Sequence, residues 1–279
     1  MPLVTLTTDF GLNDAYVATM KGVMLQIDSR LRFVDITHNV DAQDVMGAAF
    51  VLNQAIPHFP AGAVHLVVVD PDVGGNQKPI AARIGNSFFV GRDNGLLALL
   101  LRDRKPELLV ALDNSAYWRT SSPSKTFHGR DIFAPVAAHI ASGKKLTQVG
   151  TPLEEFQKLH WAHPLADEEG IQGFVVHIDH FGNCITNIAG STLEGNSRSK
   201  NAKCYVGSAI LQGIQSTYGD VQQGEPLALI GSSGYLEVAI NGGNAAELLT
   251  IHKGSPVSLV FGDSDEEVAR NIVSDLSQN

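Results

Sequence analysis

Cysteine is scarce in this chain: two in 279 residues, Cys184 and Cys204. Neither stands in a Cys-x-x-Cys pair or at a His-paired spacing, which leaves no zinc signature and no disulfide framework. Positive charge is also short, with 20 Lys and Arg against 29 Asp and Glu, a net charge of -9 and no basic block. That argues against a nucleic-acid partner, whose phosphates demand clustered cations. A negative balance suits a cationic small substrate, and it is equally common in cytosolic proteins. No apolar run approaches membrane length. The opening Met-Pro-Leu-Val-Thr-Leu-Thr-Thr-Asp lacks the basic and apolar regions of a signal peptide, so the expected location is the cytoplasm, with no membrane partner. Repeats and low-complexity tracts are missing as well. What is present, 44% hydrophobic residues, suffices for one large core or two modest ones.

The apolar pattern along the first half alternates between strand and helix. Residues 3–8 read as a buried strand, and 14–27 carry Val17, Met20, Val23, Met24 and Ile27 at helical spacing. A strand over 32–37, a helix with Val45, Ala48, Ala49, Leu52 and Ile56 on one face, and an apolar strand over 63–69 follow. Short links between these argue a mostly parallel sheet covered by helices. Residues 80–84 and 87–91 form a hairpin across Gly85-Asn86. Shorter helices are expected over 95–101 and 130–142. From 153 to 170 periodicity fades, and beyond lie short strands between Gly-rich turns, at 173–179, 202–206, 226–230, 235–240 and 256–261. Helix is scarce there apart from 245–249 and the acidic tail. The expected organisation is an α/β domain over 1–160, a linker over 161–170, and a small all-β barrel or sandwich over 171–279.

Four polar clusters interrupt this pattern. Thr8-Asp9-Phe10-Gly11-Leu12-Asn13-Asp14 follows the first strand, where open parallel sheets present ligand crevices. Asp9 is placed to take a ribose diol, and Asn13 or Asp14 to cap the following helix. Asp70-Pro71-Asp72-Val73-Gly74-Gly75-Asn76-Gln77-Lys78 ends the most apolar strand; it holds no Gly-Lys-Ser/Thr and so cradles no phosphate. Thr126-Phe127-His128-Gly129-Arg130-Asp131 offers an imidazole that can partner Asp70 in acid–base work. His177 and His180 are weaker candidates. The last cluster, 231–246, contains Ser232 and Glu237, suited to the ammonium and carboxylate of an amino acid, and Ile240 and Asn241, whose backbone can meet a base edge. Asp179-His180-Phe181-Gly182-Asn183 is the densest stretch of all, a carboxylate, a Gly turn and an amide after a strand. Each cluster taken singly also reads as a turn whose Asp, Asn or Ser bonds its own backbone.

Together the clusters resemble the S-adenosylmethionine hydrolase (adenosine-forming) family, the SAM hydroxide adenosyltransferases, which is similar to the fluorinases and chlorinases. Six motifs in order carry the resemblance over nearly the whole chain: Thr8-Asp9-Phe10-Gly11, Asp70-Pro71, Arg92-Asp93-Asn94-Gly95-Leu96, Thr126-Phe127-His128-Gly129-Arg130-Asp131, Asp179-His180-Phe181-Gly182-Asn183 and Ser232-Ser233-Gly234-Tyr235-Leu236-Glu237. The resemblance implies an N-terminal α/β domain, a C-terminal β-barrel, and a homotrimer with the substrate between subunits. It implies that Asp9 binds the ribose hydroxyls, that Phe181 and Asn183 contact the adenosine, and that Asp179, Ser232 and Glu237 hold the methionine part, with Tyr235, Ile240 and Asn241 also at the substrate. It implies no metal and no cofactor, S-adenosyl-L-methionine being the substrate.

The family's water-activating set is Asp-Arg-His. Asp70 and His128 match it, but the expected arginine position, seven residues after the aspartate, holds Gln77. Lys78 is adjacent and cationic without the bidentate fork. The expectation is slow hydrolysis, raised about tenfold or more by Gln77→Arg, unless Lys78 supplies the charge. A non-catalytic adenosine binder, a halogenase, and a metal-dependent hydrolase built on Asp9, Asp70 and His128 are the alternatives. A carboxylate at position 70 disfavours halide, and the compact 80–95 stretch lacks the halogenases' insertion.

Overall fold

The computed structural model describes residues 2–101, 104–160, 163–194, 198 and 201–262. The chain divides into two compact units, residues 1–161 and 162–279.

The first unit holds β1 (Leu3–Thr8), α1 (Tyr16–Ile27), β2 (Arg32–Thr37), α2 (Val45–Ala55), β3 (Val64–Val68), β4 (Pro79–Ile84), β5 (Ser87–Arg92), α3 (Leu96–Leu101), β6 (Leu108–Ala111), α4 (Ala134–Ala141), α5 (Leu146–Val149) and β7 (Thr151–Pro152). The seven strands form one sheet in the order β2-β1-β3-β5-β4-β6-β7. Successive strand side chains alternate between its faces. Leu66 and Val68 pack with Met20 and Met24 of α1 and Val136 and Ile140 of α4. Val67 and Val69 pack with Ala48 and Leu52 of α2 and Leu96 and Leu100 of α3. Covering on both faces is why β3 is buried at every position.

The sheet is mixed, which corrects the expectation of a mostly parallel one. β1 pairs in parallel with β2 and β3, and β3 with β5. β4 runs antiparallel to both β5 and β6, and β6 antiparallel to β7. The cause is local: the Gly85-Asn86 link is too short for anything but a hairpin, and β4 then imposes its direction on the strands beyond. Helix α1 also departs from expectation at its start. Its N-cap is Ala15, with no side-chain cap bond from Asn13 or Asp14.

The second unit holds β8 (Leu165–Ala166), β9 (Gly170–Ile178), β10 (Cys184–Ala189), β11 (Lys203–Val206), β12 (Ala209–Gln212), β13 (Pro226–Ile230), β14 (Tyr235–Ile240), α6 (Ala245–Leu248) and β15 (Pro256–Val260). All pairings between these strands are antiparallel, in the order β12-β11-β15-β9-β10-β14-β13, with β8 beside β9. Just past β12, Gln215 N–H donates to Ala228 C=O in β13 at 2.7 Å, so the sheet curls back towards its own far edge in barrel fashion. Val175, Ile188, Cys204, Val206, Leu236, Val238 and Leu259 fill its interior. The helical expectation for the acidic tail lies outside the described residues. Among the described residues no helix is long and apolar enough to cross a membrane.

Candidate active site

β3 and β5 are parallel neighbours, so their carboxyl ends open on the same edge of the first unit's sheet. Asp70 follows β3 there, and Arg92 is the last residue of β5. Arg92 Nε and Nη2 each lie 2.8 Å from Asp70 Oδ2. Its Nη1 donates to the Gln77 carbonyl oxygen at 2.7 Å, and Nη2 reaches His128 Nδ1 at 2.7 Å. The guanidinium carbon also sits 5.6 Å from the centre of the Phe133 ring. The Arg92 and Asp70 side chains are only 3% and 7% exposed. Asp70 Oδ1 is buried and meets no hydrogen-bond partner among the described residues.

Position 77 holds no cation, but a guanidinium does lie beside Asp70 and His128, that of Arg92 at the end of β5. Gln77 joins this network through its backbone carbonyl; its side-chain Oε1 is buried without a partner among the described residues. Lys78 acts on Asp93, whose carboxyl burial pushes up and Lys78 partly pulls back. Asn94 Nδ2 donates to the Val69 carbonyl at 2.8 Å, tying the turn after β5 to the end of β3.

His128 precedes a π-helical turn, Gly129–Phe133, that runs into α4. Burial, and then the Arg92 charge, hold its imidazole below the ordinary histidine value, against the opposing pull of Asp70 and Asp131. Asp131 is fully buried, and its carboxylate takes bonds from Arg119, Arg130 and the Ser124 N–H. These bonds fix the loop that presents His128.

Asp9 follows β1 on the same edge. Its Oδ2 accepts the Gln43 N–H at 2.8 Å, with Gln43 at φ 68°. Thr8 Oγ1 bonds His38 Nδ1 at 2.9 Å and Gly11 N–H donates to the His38 carbonyl, anchoring the turn from both sides. The rings of Phe10, Tyr16 and Phe127 meet with centroids 5.2–6.0 Å apart. Phe10 adjoins Asp9 and Phe127 adjoins His128, so this contact brings the two loops to one neighbourhood. Asp9, Asp70 and His128 do not form a metal-ligand group; among the described residues no cluster of three His, Cys, Asp or Glu does.

The remaining candidates belong to the second unit. Asp179 follows β9 and closes a turn: Oδ1 accepts the N–H groups of Phe181 and Asn183, and Oδ2 the Asn183 side-chain amide, at 2.8–2.9 Å. Gly182 at φ +83° permits the turn. The backbone-bonding reading of this stretch is thus realised, and its product is a Phe181 ring left 73% exposed. His180 stacks edge-on against that ring, and His177 stays within β9 opposite Ile185.

Glu237, in β14, is buried, and Tyr218 Oη donates to its Oε1 at 2.6 Å. Burial, reinforced by the nearby charge of Asp179, raises its carboxyl above the ordinary value against the Tyr218 bond. A Cβ at Gly231 would fall 2.3 Å from Glu237 Oε2, so a larger residue at this turn position would displace the Glu237 carboxylate. Ser232 is exposed in the turn between β13 and β14, and Tyr235 opens β14. Ile240 ends β14 and Asn241 follows it, but three of their backbone groups are engaged: Ile240 C=O with Gly243 N–H, Asn241 N–H with Glu225 C=O, and Asn241 C=O with Gly224 N–H. Cys184 and Cys204 are buried, their thiols pushed up to about 12, which makes them inert packing groups.

Arg92 and Tyr218 are the two residues that the reading of clusters did not single out as site groups. Arg92 stood in a recognised motif, yet its partners are 22 and 36 residues away in sequence. The signal that would have found it is strand adjacency: an arginine closing the strand next to the one that Asp70 ends.

An α/β unit with a buried carboxylate, imidazole and guanidinium at its strand ends, followed by a β unit displaying carboxylates and an exposed aromatic ring, defines an enzyme-like class of small-molecule binder. The chain belongs to the SAM hydroxide adenosyltransferase family: residues 4–150 match its N-terminal domain and residues 173–258 its C-terminal domain. It is 40% identical over 267 residues to the (R)-S-adenosyl-L-methionine hydrolase of Salinispora tropica, covering 94% of this chain and 98% of that protein. Identity to the (R)-S-adenosyl-L-methionine hydrolase of Thermus thermophilus is 38% over 270 residues, covering 92% and 99%. A crystal structure of an uncharacterized conserved protein from Thermotoga maritima superposes with a TM-score of 0.86 at 35% identity, covering 92% of this chain and 99% of that one.

Proposed function

We propose that this chain hydrolyses S-adenosyl-L-methionine to adenosine and L-methionine. The observation that carries the reading is the buried Asp70 carboxylate, one oxygen held by Arg92 and the other without a hydrogen-bond partner among the described residues, in a chain of this family. The sulfonium leaves without needing a proton, so the chemistry reduces to in-line attack by a held water on ribose C5′. The new bond is O–C5′. The C5′–S bond breaks, and its electron pair neutralises sulfur as the thioether of methionine. The water proton passes to Asp70 and then to solvent. One monocation and one water give two uncharged products and one proton, with no cofactor consumed.

In this reading Asp9 takes the ribose hydroxyls, Phe181 stacks on the adenine and Asn183 contacts the adenosine. Asp179, Ser232, Tyr235 and Glu237 hold the methionine ammonium and carboxylate. The turn at Ile240 and Asn241 borders the base without using the backbone groups already bonded. Asp70 and His128 handle the water; Gln77 contributes its carbonyl to the Arg92 network. A cytoplasmic homotrimer holding substrate where subunits meet completes the reading, supported by the resemblance in motif order. The Arg92 cation removes the main support for a non-catalytic binder.

Incubation of the purified protein with S-adenosyl-L-methionine, followed by chromatography, tests this. Adenosine and methionine in equal amounts are expected. Release of neither, or a 5′-halo-5′-deoxyadenosine formed with added chloride, overturns it.

A further inference from the structure

Arg92 is a donor at every nitrogen and accepts nothing. Its Nη2 stands 2.7 Å from His128 Nδ1, so Nδ1 must offer its lone pair there. A neutral His128 consequently carries its proton on Nε2. A doubly protonated ring would set an N–H against an N–H at that distance, beside a fixed cation. The same guanidinium occupies Asp70 Oδ2 through two nitrogens, leaving Oδ1 as the unpartnered oxygen of a buried carboxylate among the described residues. Nη1 is tied to the Gln77 carbonyl and the plane rests near Phe133, so the fork is held at three of its edges.

We propose that Arg92 is the positioning residue of the Asp70–His128 pair, locking His128 as the neutral Nε2–H donor and reserving Asp70 Oδ1 as the proton acceptor for the attacking water. The assignment rests on the hydrolase reading for its chemistry, and it divides the labour of the pair. Nε2–H orients the water by donating to it; the proton released on C5′–O bond formation goes to Asp70. His128 does not shuttle it. The charged and titratable groups facing His128 are Arg92 from β5, Asp70 after β3 and Asp131 in the π turn, the last neutralised by Arg119 and Arg130.

Two measurements test the assignment. Long-range ¹H–¹⁵N spectra of histidine-labelled wild-type protein, with His128 identified by its loss in His128→Gln, read the tautomer directly. An unprotonated Nδ1 and a protonated Nε2 at neutral pH are expected; a proton on Nδ1, or on both nitrogens, overturns the proposal. Arg92→Lys keeps a cation and loses the fork. For it kcat should fall about tenfold or more while KM stays within about threefold, and the acid limb of the kcat profile should move to higher pH, because His128 loses the guanidinium contact at Nδ1 that favours its unprotonated form. A folded Arg92→Lys with wild-type kcat and an unmoved limb overturns the proposal. If that variant fails to fold, the wild-type spectrum decides alone. Adenosine release by wild-type protein tests the hydrolase reading separately, so the two can fail independently.

Discussion

The phenolic hydroxyl of Tyr218 reaches across the second unit to Oε1 of Glu237 at 2.6 Å. A hydroxyl donated to a buried carboxylate favours its ionised form, and this bond is the one influence that lowers a carboxyl otherwise raised by burial and by Asp179. Tyr218→Phe should therefore raise Glu237 further. If ionised Glu237 holds the substrate ammonium, KM rises as the pH falls through the raised value, and the rise begins at higher pH in Tyr218→Phe than in wild type. Steady-state KM between pH 5 and 8 checks this; superimposable profiles remove Glu237 from the ammonium site.

Gln77→Arg, which looks from sequence like the repair of a defect, should leave kcat within about twofold, a barrier change of about 0.4 kcal/mol. The guanidinium place beside Asp70 is already filled by Arg92. Lys78→Ala should be equally mild, since that ammonium acts on Asp93. A tenfold gain in Gln77→Arg would show that Arg92 does not serve the reaction.

Asp70→Asn keeps an acceptor for Arg92 Nε and removes the proton acceptor. Single-turnover adenosine release should fall by about 10²–10⁴-fold, the usual worth of a positioned base, while adenosine affinity by calorimetry stays unchanged. Wild-type turnover in this variant would end the mechanism proposed for Asp70.

Asp9→Asn retains an oxygen for the Gln43 N–H that Asp9 now accepts, so its turn should persist. Loss of the charge-assisted bonds to a ribose diol should weaken adenosine binding by about 1–3 kcal/mol. Calorimetry with adenosine measures it, and an unaltered Kd would place Asp9 outside the binding site.

Asp131 has a pH signature of its own. The side-chain bonds of Arg130 and Arg119 hold its carboxyl far below the ordinary 3.8, against the cost of burial. The folded state then binds fewer protons than the unfolded chain, so this stabilisation is complete above the ordinary carboxylate range and drains as the pH falls below it. Its two arginine partners are partly exposed, which limits the effect: Asp131→Asn should cost about 1–3 kcal/mol at neutral pH. Urea unfolding of both proteins at pH 7 and at pH 3 should show the difference shrinking in acid; a constant gap would contradict the linkage.

The order of strands and helices up to β3 was legible because both periodicities are strong there, and the Gly85-Asn86 hairpin announced itself by its turn. The reversal of the sheet beyond β5 was not, since β6 is only four residues long and nothing local states which neighbour it will choose. β10 was hidden because Thr186 and Asn187 break the apolar run of a short strand that follows directly on a polar turn. The turn at Asp179 was legible both as a turn and as a ligand-facing motif, and its bonds show that one geometry serves both descriptions. Arg92 was invisible as a partner of Asp70 because a search along the chain weighs nearness in sequence, while the sheet sets nearness in space.

β4 and β5 are joined by two residues and run in opposite directions, so Pro79 and Arg92 face each other across the hairpin. Position 77 approaches that corner from the entry side and position 92 from the exit side. From the exit side Arg92 delivers its guanidinium to Asp70. A column-by-column comparison scores position 77 as an amputated enzyme; a comparison by address in space scores it as a group that has moved next door. Inventories of inactive relatives compiled one column at a time will misfile such proteins wherever a charge has crossed to the adjoining strand.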